Sequence, residues 1–542
     1  MSMSISNTIS PNKYNSFKLQ ITQINLHRSH NAMASLCQDL SKLQTHISLL
    51  QEPCTIKKSL VTGTGKYEIH TGNKEGTRPR ACVLTSPNIK AWPMPAFSDA
   101  DCMAIQTTWH NGLVVFASIY MPGDDTTVPS PTVRRLVEHC ALHKVPLLIG
   151  CDANAHHTLW GSTNVNERGD LLVEYLMGTN LTVINQGHRP TFVNRIRQEV
   201  LDLTLVSLDF LDRVDRWHVD ESDAFSDHRT LKYRVNLGKL DPVYYRNRRK
   251  TDWSIYLDRI SDKLSEIPHT YINSTEELEA RVDQVTSILI EAFQCACPIK
   301  RVRTKGPTVN YWNAELTALR SKVRRLQRVA YKHNFQNKGE VDQFLLARKE
   351  FYYSLRLTKS RSFQSFCDEI RNMPSAARLY RALSGGRTIK LGPVQLPDGT
   401  YTPGAKETLG HLLQTHFPGD PNGQTGEGYD HTPSDSPTVD QITSEDQVHR
   451  VLGTFSPFKA AGPDEIFPAL LSEGREVLTP ILSKIMHACL RYGYIPQSWR
   501  KTRAVFIPKP GKDSYYRTSS WRPISLTSFL LKTLERLIDW YL

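Results

Sequence analysis

From residue 17 to residue 237 apolar and polar positions alternate in short runs, and the runs stop on the same few residue types. Phe17 to Leu26 alternates as a strand does and reaches its end at Asn25. Residues 31 to 44 then carry Met33, Leu36, Leu40 and Leu43 at helical spacing, after Asn31 as an N-cap. Ile47 to Leu50 predicts a second strand, closed by Gln51-Glu52-Pro53. Further strands are predicted at 80–85, 102–109 and 113–121, the last running through Tyr120. After a helix at about 131–143, a buried strand from Val145 to Ile149 delivers Asp152 and Asn154 at its exit. A helix at about 170–177 precedes strands at 181–185, 200–206 and 229–235. The second of these holds Asp202 among apolar neighbours, and the third follows Ser226-Asp227-His228.

Beyond Leu237 the period changes. Glu276 to Cys295 is apolar at helical spacing, and Leu316, Leu319, Val323, Leu326 and Ala330 repeat in a 3,4 pattern along another helix. Residues 418–439, dense in Gly, Pro, Ser and Asp, predict a flexible linker, and helices and a strand at Thr502 to Ile507 return after it. The expected organisation is a disordered N-terminus at 1–16, a strand-rich domain at 17–237, a helical connector at 238–417, the linker at 418–439 and a last piece at 440–542.

The polar residues at the strand ends are Asn25, Glu52, Tyr120, Asp152, Asn154, Asp202, Asp227 and His228. Each alone has an ordinary explanation: Asp152 and Asn154 make an Asx-rich turn, and Asp-His is a common dipeptide. Together they match what metal-assisted phosphodiester hydrolysis requires. Oxygen ligands hold Mg²⁺, a histidine takes a proton from water, a carboxylate orients that histidine, and amide and phenol groups steady the phosphate.

Six blocks occur in order: Gln23-Ile-Asn-Leu26, Gln51-Glu-Pro53, Ser118-Ile-Tyr-Met-Pro122, Gly150-Cys-Asp-Ala-Asn-Ala-His-His157, Leu201-Asp-Leu-Thr-Leu205 and Ser226-Asp-His228. On these, residues 17–237 resemble an endonuclease/exonuclease/phosphatase domain of the apurinic endonuclease-like type. The resemblance implies a four-layer α/β sandwich, two mostly antiparallel sheets face to face with helices outside. It also implies Glu52 as the principal Mg²⁺ ligand (Mn²⁺ as the alternative), with Asn25 and Asp227 close to the metal. His228 would be general base or phosphate contact, Asp202 would orient it, Asp152 would activate water or protonate the leaving oxygen, and Asn154 and Tyr120 would hold phosphate oxygens. Two departures stand out. Gly150-Cys151-Asp152-Ala153-Asn154 replaces the family's Gly-Asp-Phe-Asn, and Glu167-Arg168-Gly169 replaces Ser-Arg-Gly, leaving Arg168 as a phosphate contact. His156 and His157 are expected at structural or substrate-edge positions, since Mg²⁺ rarely selects imidazole.

Charge then gives the middle of the chain a meaning. The net charge is 67 − 54 = +13, and Lys300 to Arg361 alone carries 16 cations against 4 acids, or +12. So local an excess predicts a phosphate-backbone surface for DNA, and RNA, with Arg320, Arg324, Arg325 and Arg328 as contacts. The ten cysteines lack C-x-x-C spacing, which excludes a zinc knuckle and suggests reduced thiols inside a cell. No run reaches 18 apolar residues, so no membrane span is expected.

Lys459 to Asp464, Trp499 to Asp513 and Trp521 to Leu526 resemble the opening of a reverse transcriptase of non-LTR, jockey-like retrotransposons. In that family the Tyr-x-Asp-Asp block lies further on, and this sequence has no counterpart of it up to Leu542, so nucleotide polymerisation by this chain is not expected. The leading expectation is an Mg²⁺-dependent, retrotransposon-derived DNA endonuclease acting in the nucleus and leaving 3′-OH and 5′-phosphate ends. The alternatives are a phosphatase of the same fold and a catalytically idle nucleic-acid-binding remnant.

Overall fold

The alternating segment folds into two six-stranded mixed sheets. In order, its elements are β1 (Lys18–Asn25), α1 (His30–Leu43), β2 (Ile47–Gln51), β3 (Thr55–Ile56), β4 (Leu60–Val61), β5 (Glu68–Thr71), β6 (Ala81–Thr85), β7 (Ala91–Pro93), β8 (Cys102–Trp109) and β9 (Gly112–Tyr120). They continue with α2 (Pro131–Leu142), β10 (Leu147–Asp152), α3 (Glu167–Met177), β11 (Leu181–Val183), β12 (Phe192–Val193), β13 (Gln198–Glu199), β14 (Asp202–Ser207), β15 (Val214–Val219) and β16 (Leu231–Asn236). The helices that follow are α4 (Trp253–Ser265), α5 (Thr275–Ala296), α6 (Ala314–Lys332) and α7 (Lys338–Asp368).

The structure, a computed structural model, describes residues 18–542 except 44, 57–59, 62–66, 73–76, 110–111, 126, 195, 238–243, 269, 302–310, 334–335, 369, 371–372, 374–375, 377–390, 420–435 and 513. The segment expected to be a disordered N-terminus and most of the expected linker lie outside the described residues. The chain divides into two units, Met1–Asp241 with Arg303–Ala405, and Pro242–Val302 with Lys406–Leu542. The stretch expected as one helical connector is therefore shared, α4 and α5 going to one unit and α6 and α7 to the other.

In the first unit the sheet orders are β15-β16-β1-β2-β6-β5 and β11-β14-β10-β9-β8-β7. Among the described residues, parallel pairing is confined to β1 with β2 and β9 with β10, and helices α1 and α2 supply those two crossovers. Ile21, Leu49 and Val83 of one sheet share a core with Ile105, Phe116, Leu148 and Val206 of the other. On the outside of the second sheet lie α2 and α3, through Leu136, Val137 and Leu172. On the outside of the first lie α1 and, with it, α6 and α7, whose Leu316, Val323, Phe344, Phe351 and Leu355 pack on Met33, Leu36 and Leu40. The expected four layers are present, and the basic hairpin is part of one of them.

The second unit encloses its own core. Tyr256 and Ile260 of α4 and Leu278, Val285 and Leu289 of α5 pack with Leu470, Leu482, Ile485 and Leu534. The Tyr256 hydroxyl donates to the Leu470 carbonyl at 2.9 Å. Arg503–Pro508 pairs antiparallel with Trp521–Leu526. Phe529, Leu530, Leu531 and Leu534 are packed here, the first, second and fourth buried. Their partners include α4 and α5, which sequence order had assigned to the connector.

Candidate active site

The period of two stacks the inner face of the sandwich in layers. On β10, Leu148, Gly150 and Asp152 share one face; on β9 their register partners are Phe116, Ser118 and Tyr120, and on β14 Val206, Thr204 and Asp202. β1 adds Ile21, Gln23 and Asn25 at the same spacing. Each strand thus reads apolar, then amide, hydroxyl or glycine, then acid, amide or phenol.

The middle layer ties the sheets together. The Gln51 side-chain amide donates to Ser118 Oγ at 3.0 Å and to the Gly150 carbonyl at 2.9 Å, and Ser118 Oγ donates to the Leu50 carbonyl. Gln23 donates to the Leu203 carbonyl at 3.0 Å and accepts from Thr204 Oγ1 at 2.9 Å. A Cβ on Gly150 would come within 2.7 Å of Gln23 Oε1, so the glycine of the Gly-Cys-Asp block makes room for this layer. Gln23 and Gln51 are both fully buried and sequence reasoning gave them no role. Their signal was present: a glutamine stood where the alternation called for an apolar residue.

Above that layer the functional groups meet. The Asn25 amide donates to Asp152 Oδ2 at 2.7 Å across the sheets, and Asp152 lies directly opposite Asp202 in the β10–β14 ladder. His228 Nδ1 is 2.8 Å from Asp202 Oδ2 and its Nε2 is 3.9 Å from Asp152 Oδ2. The edge of Phe192 meets the imidazole at a centroid distance of 5.0 Å. Burial is the largest influence on Asp152 and lifts its carboxyl above the usual carboxylate range; the facing Asp202 adds to this, against His228 and Asn25. Burial alone would lower His228, but the Asp202 and Asp152 carboxylates outweigh it and raise the imidazole, which favours the cation. Burial, with Glu52 and Asp152 beside it, pushes the Tyr120 phenol up to about 12, so it keeps its proton and can donate.

Glu52 and Asp227 stand at the rim. Arg28 reaches the Glu52 carboxylate at 2.8 Å, and His27 Nδ1 lies 3.4 Å from Asp227. The His27 backbone N–H donates to Asn25 Oδ1 at 2.7 Å, linking the rim to the buried pair. His27, Arg28, Glu52 and Asn154 all adopt positive φ, between 41° and 55°, a conformation costly outside glycine and tolerated where the surroundings enforce it. His27 and Arg28 were not singled out from sequence, since nothing in a His-Arg pair after a strand predicts a left-handed turn.

The remaining expectations fare differently. The Asn154 amide donates to the Met121 carbonyl at 3.0 Å, beside the site. Arg168 directs its guanidinium to the carbonyls of Ala153, Asn154 and Asp125, bracing the loop that holds Asn154. Gly169 is required there, because a Cβ would meet the His156 carbonyl at 1.9 Å. His156 and His157 bond within the same loop, to Asn164 and to the Leu159 N–H. Arg320, 5% exposed, and Arg324 both face Asp39 of α1, at 2.6 and 3.1 Å, away from Asp152 and His228. Arg325 and Arg328 are exposed.

Among the described residues, Asp152, Asp202 and His228 form a group whose ligand atoms all lie within 4.8 Å of one another. Asp202 Oδ1 is buried without a hydrogen-bond partner. Buried and rim carboxylates with an amide oxygen give a donor set of oxygens suited to a hard cation, the imidazole being engaged by Asp202. A cleft of about 710 Å³ opens beside them, lined by Asp227, His228, Asn194, Gln327, Lys338 and Phe344 among others. Among the described residues no helix is long and apolar enough to cross a membrane, and all ten cysteines are free.

Residues 114–232 match a family described as endonuclease-reverse transcriptase. The chain is 24% identical over 549 residues to the 115 kDa protein in type-1 retrotransposable element R1DM of Drosophila melanogaster, over 95% of this chain and 51% of that one. It is 24% identical over 520 residues to the RNA-directed DNA polymerase from mobile element jockey of Drosophila funebris, over 89% and 53%. The chain thus spans about half the length of the curated relatives it matches. Among solved structures it is similar to the endonuclease domain of TRAS1, a telomere-specific non-LTR retrotransposon (26% identity, 41% of this chain and 100% of that one, TM-score 0.36). It is also similar to the Xenopus laevis APE2 catalytic domain (11% identity, 40% and 92%, TM-score 0.35).

Proposed function

Because the chain is a non-LTR, R1- and jockey-like retrotransposon protein with an endonuclease/exonuclease/phosphatase domain, we propose that this domain nicks DNA, leaving a 3′-OH and a 5′-phosphate. The observation that carries the reading is the line Asn25–Asp152–His228–Asp202, which crosses both sheets at one end of the sandwich. Water attacks phosphorus and its proton passes to Asp152, whose raised carboxyl suits a proton acceptor near neutral pH. The bond to the 3′-oxygen breaks and that oxygen leaves as the hydroxyl, taking its proton from solvent water. His228, kept cationic by Asp202, and Tyr120 donate to phosphate oxygens, and Asn154 stands beside them. Mg²⁺ or Mn²⁺ held by Glu52, with Asn25 and Asp227 adjacent, would neutralise phosphate charge in the transition state.

DNA is the substrate in this reading, and the exposed Arg325 and Arg328 supply sequence-independent attraction to it or to RNA. The test is supercoiled plasmid with Mg²⁺, using the parent protein, Glu52→Ala and His228→Ala. Nicking by the parent that both substitutions abolish supports the reading, as does its loss on adding a chelator. Plasmid retention at low salt without nicking by the parent would replace it with a binding remnant.

A further inference from the structure

We infer that the α6–α7 hairpin is a working part of the proposed nuclease site, with Phe351 and Arg348 as positioning residues for the loop that presents Asp227 and His228. The inference rests on the endonuclease reading above. The loop runs from the end of β15 to the start of β16, and Phe225 at its centre holds φ at 58°, a left-handed conformation that a bulky residue adopts only under constraint. Four contacts hold it. The Phe225 ring, 1% exposed, stacks on Phe351 of α7 with centroids 4.6 Å apart and planes 25° apart. Asp223 Oδ1 accepts from the Phe225 N–H at 2.7 Å, and Arg348 of α7 faces the buried Asp223 carboxylate at 3.7 Å. Ser29 Oγ donates to the Phe225 carbonyl at 3.2 Å.

The next residues hand this geometry to the site. Ser226 Oγ donates to the Asn25 carbonyl at 2.8 Å, and the His228 N–H donates back to Ser226 Oγ at 3.2 Å. A shift at Phe225 is therefore felt at two members of the reacting line, Asn25 and His228. Two of the contacts that fix Phe225 come from a helix more than a hundred residues downstream. α7 is itself held: Phe344, Phe351 and Leu355 are buried against the same core as Leu36 and Leu40. The hairpin thus ties the outer layer to a loop whose Asp223, Phe225 and His228 are all buried.

The test uses the full chain with Phe351→Leu, Arg348→Met and Arg348→Lys, and with Tyr353→Ala as a control at an exposed site on the same helix. Hydrogen exchange is followed on peptides covering residues 222–229, alongside plasmid-nicking kinetics. Phe351→Leu and Arg348→Met are expected to speed exchange there by about tenfold or more. They should lower kcat by about tenfold to a hundredfold with KM little changed, because misplacing a catalytic group acts on the chemical step. Arg348→Lys should recover part of both effects, and Tyr353→Ala should show neither. Unchanged exchange in both variants overturns the inference, and so does faster exchange with unchanged kcat. Should the parent itself fail to nick, the endonuclease reading falls and the catalytic role falls with it, while exchange still decides whether the hairpin clamps the loop.

Discussion

The strand ends at Asn25, Asp152 and Asp202 and the arginines of α6 are two rows of polar residues that meet opposite fates on folding. The first row turns into the space between the sheets and converges. The second divides: Arg320 and Arg324 turn inward onto Asp39, while Arg325 and Arg328 remain in solvent. The difference lies in what the backbone period determines. Along a strand only two faces exist, so one buried apolar residue assigns every other side chain. Around a helix the apolar stripe leaves a wide arc, and a cation at the edge of that stripe can bury its stem and pair with the neighbouring helix.

The largest effects should come from the converging row. Asp152→Asn and His228→Ala are each expected to slow plasmid nicking by about 10²–10⁴-fold with the fold intact by circular dichroism; near-parental rates would break the assignment. On the helix, Arg320→Ala should destabilise the first unit by about 2–4 kcal/mol in urea titration, because it strips Asp39 of its closest partner. Arg325→Ala sharpens the contrast: stability should stay within about 0.5 kcal/mol, while the salt slope of DNA binding falls by about one. Equal effects of the two substitutions would erase the distinction between structural and solvent-facing cations.

Between these stands the layer beneath the site. Gln51→Leu removes two cross-sheet hydrogen bonds and strands the groups they satisfied, so a loss of about 1–3 kcal/mol is expected in the same titration. An effect of similar size concerns Asp220, at the start of the loop leading to His228. Burial raises its pKa, but Lys232 and the Ser222 hydroxyl and amide outweigh this and hold it at about 2, below the unfolded value of 3.8. A depressed folded pKa gives stability that is present above the unfolded value and is lost as pH falls toward 2. That lowering amounts to about 2 kcal/mol. Asp220→Asn should cost that much at neutral pH and flatten the acid limb of the stability curve between about pH 4 and 2.

The contrast also explains what was legible in the sequence. The sheets, their end-of-strand residues and the pairing of Asp202 with His228 followed from alternation and from six ordered blocks. Gln23 and Gln51 broke the alternation visibly, but what they bond to is known only once the opposite sheet supplies its carbonyls. His27 and Arg28 escaped because their role depends on backbone conformation. The placement of α6 and α7 escaped because helices carry no record of which distant surface they cover, and the expectation of one connector followed chain order where the packing does not.

That interleaving bears on how the protein is made. Phe225 emerges during synthesis well before Phe351, its stacking partner. At about 5–20 residues per second, the roughly 126 residues between them take about 6–25 s. In that interval the outer face of α1 has no cover, and α4 and α5 emerge before their own partners beyond residue 440. Vectorial synthesis therefore leaves both units unfinished at once, and the window in which chaperones could engage them is set by the nesting of the chain.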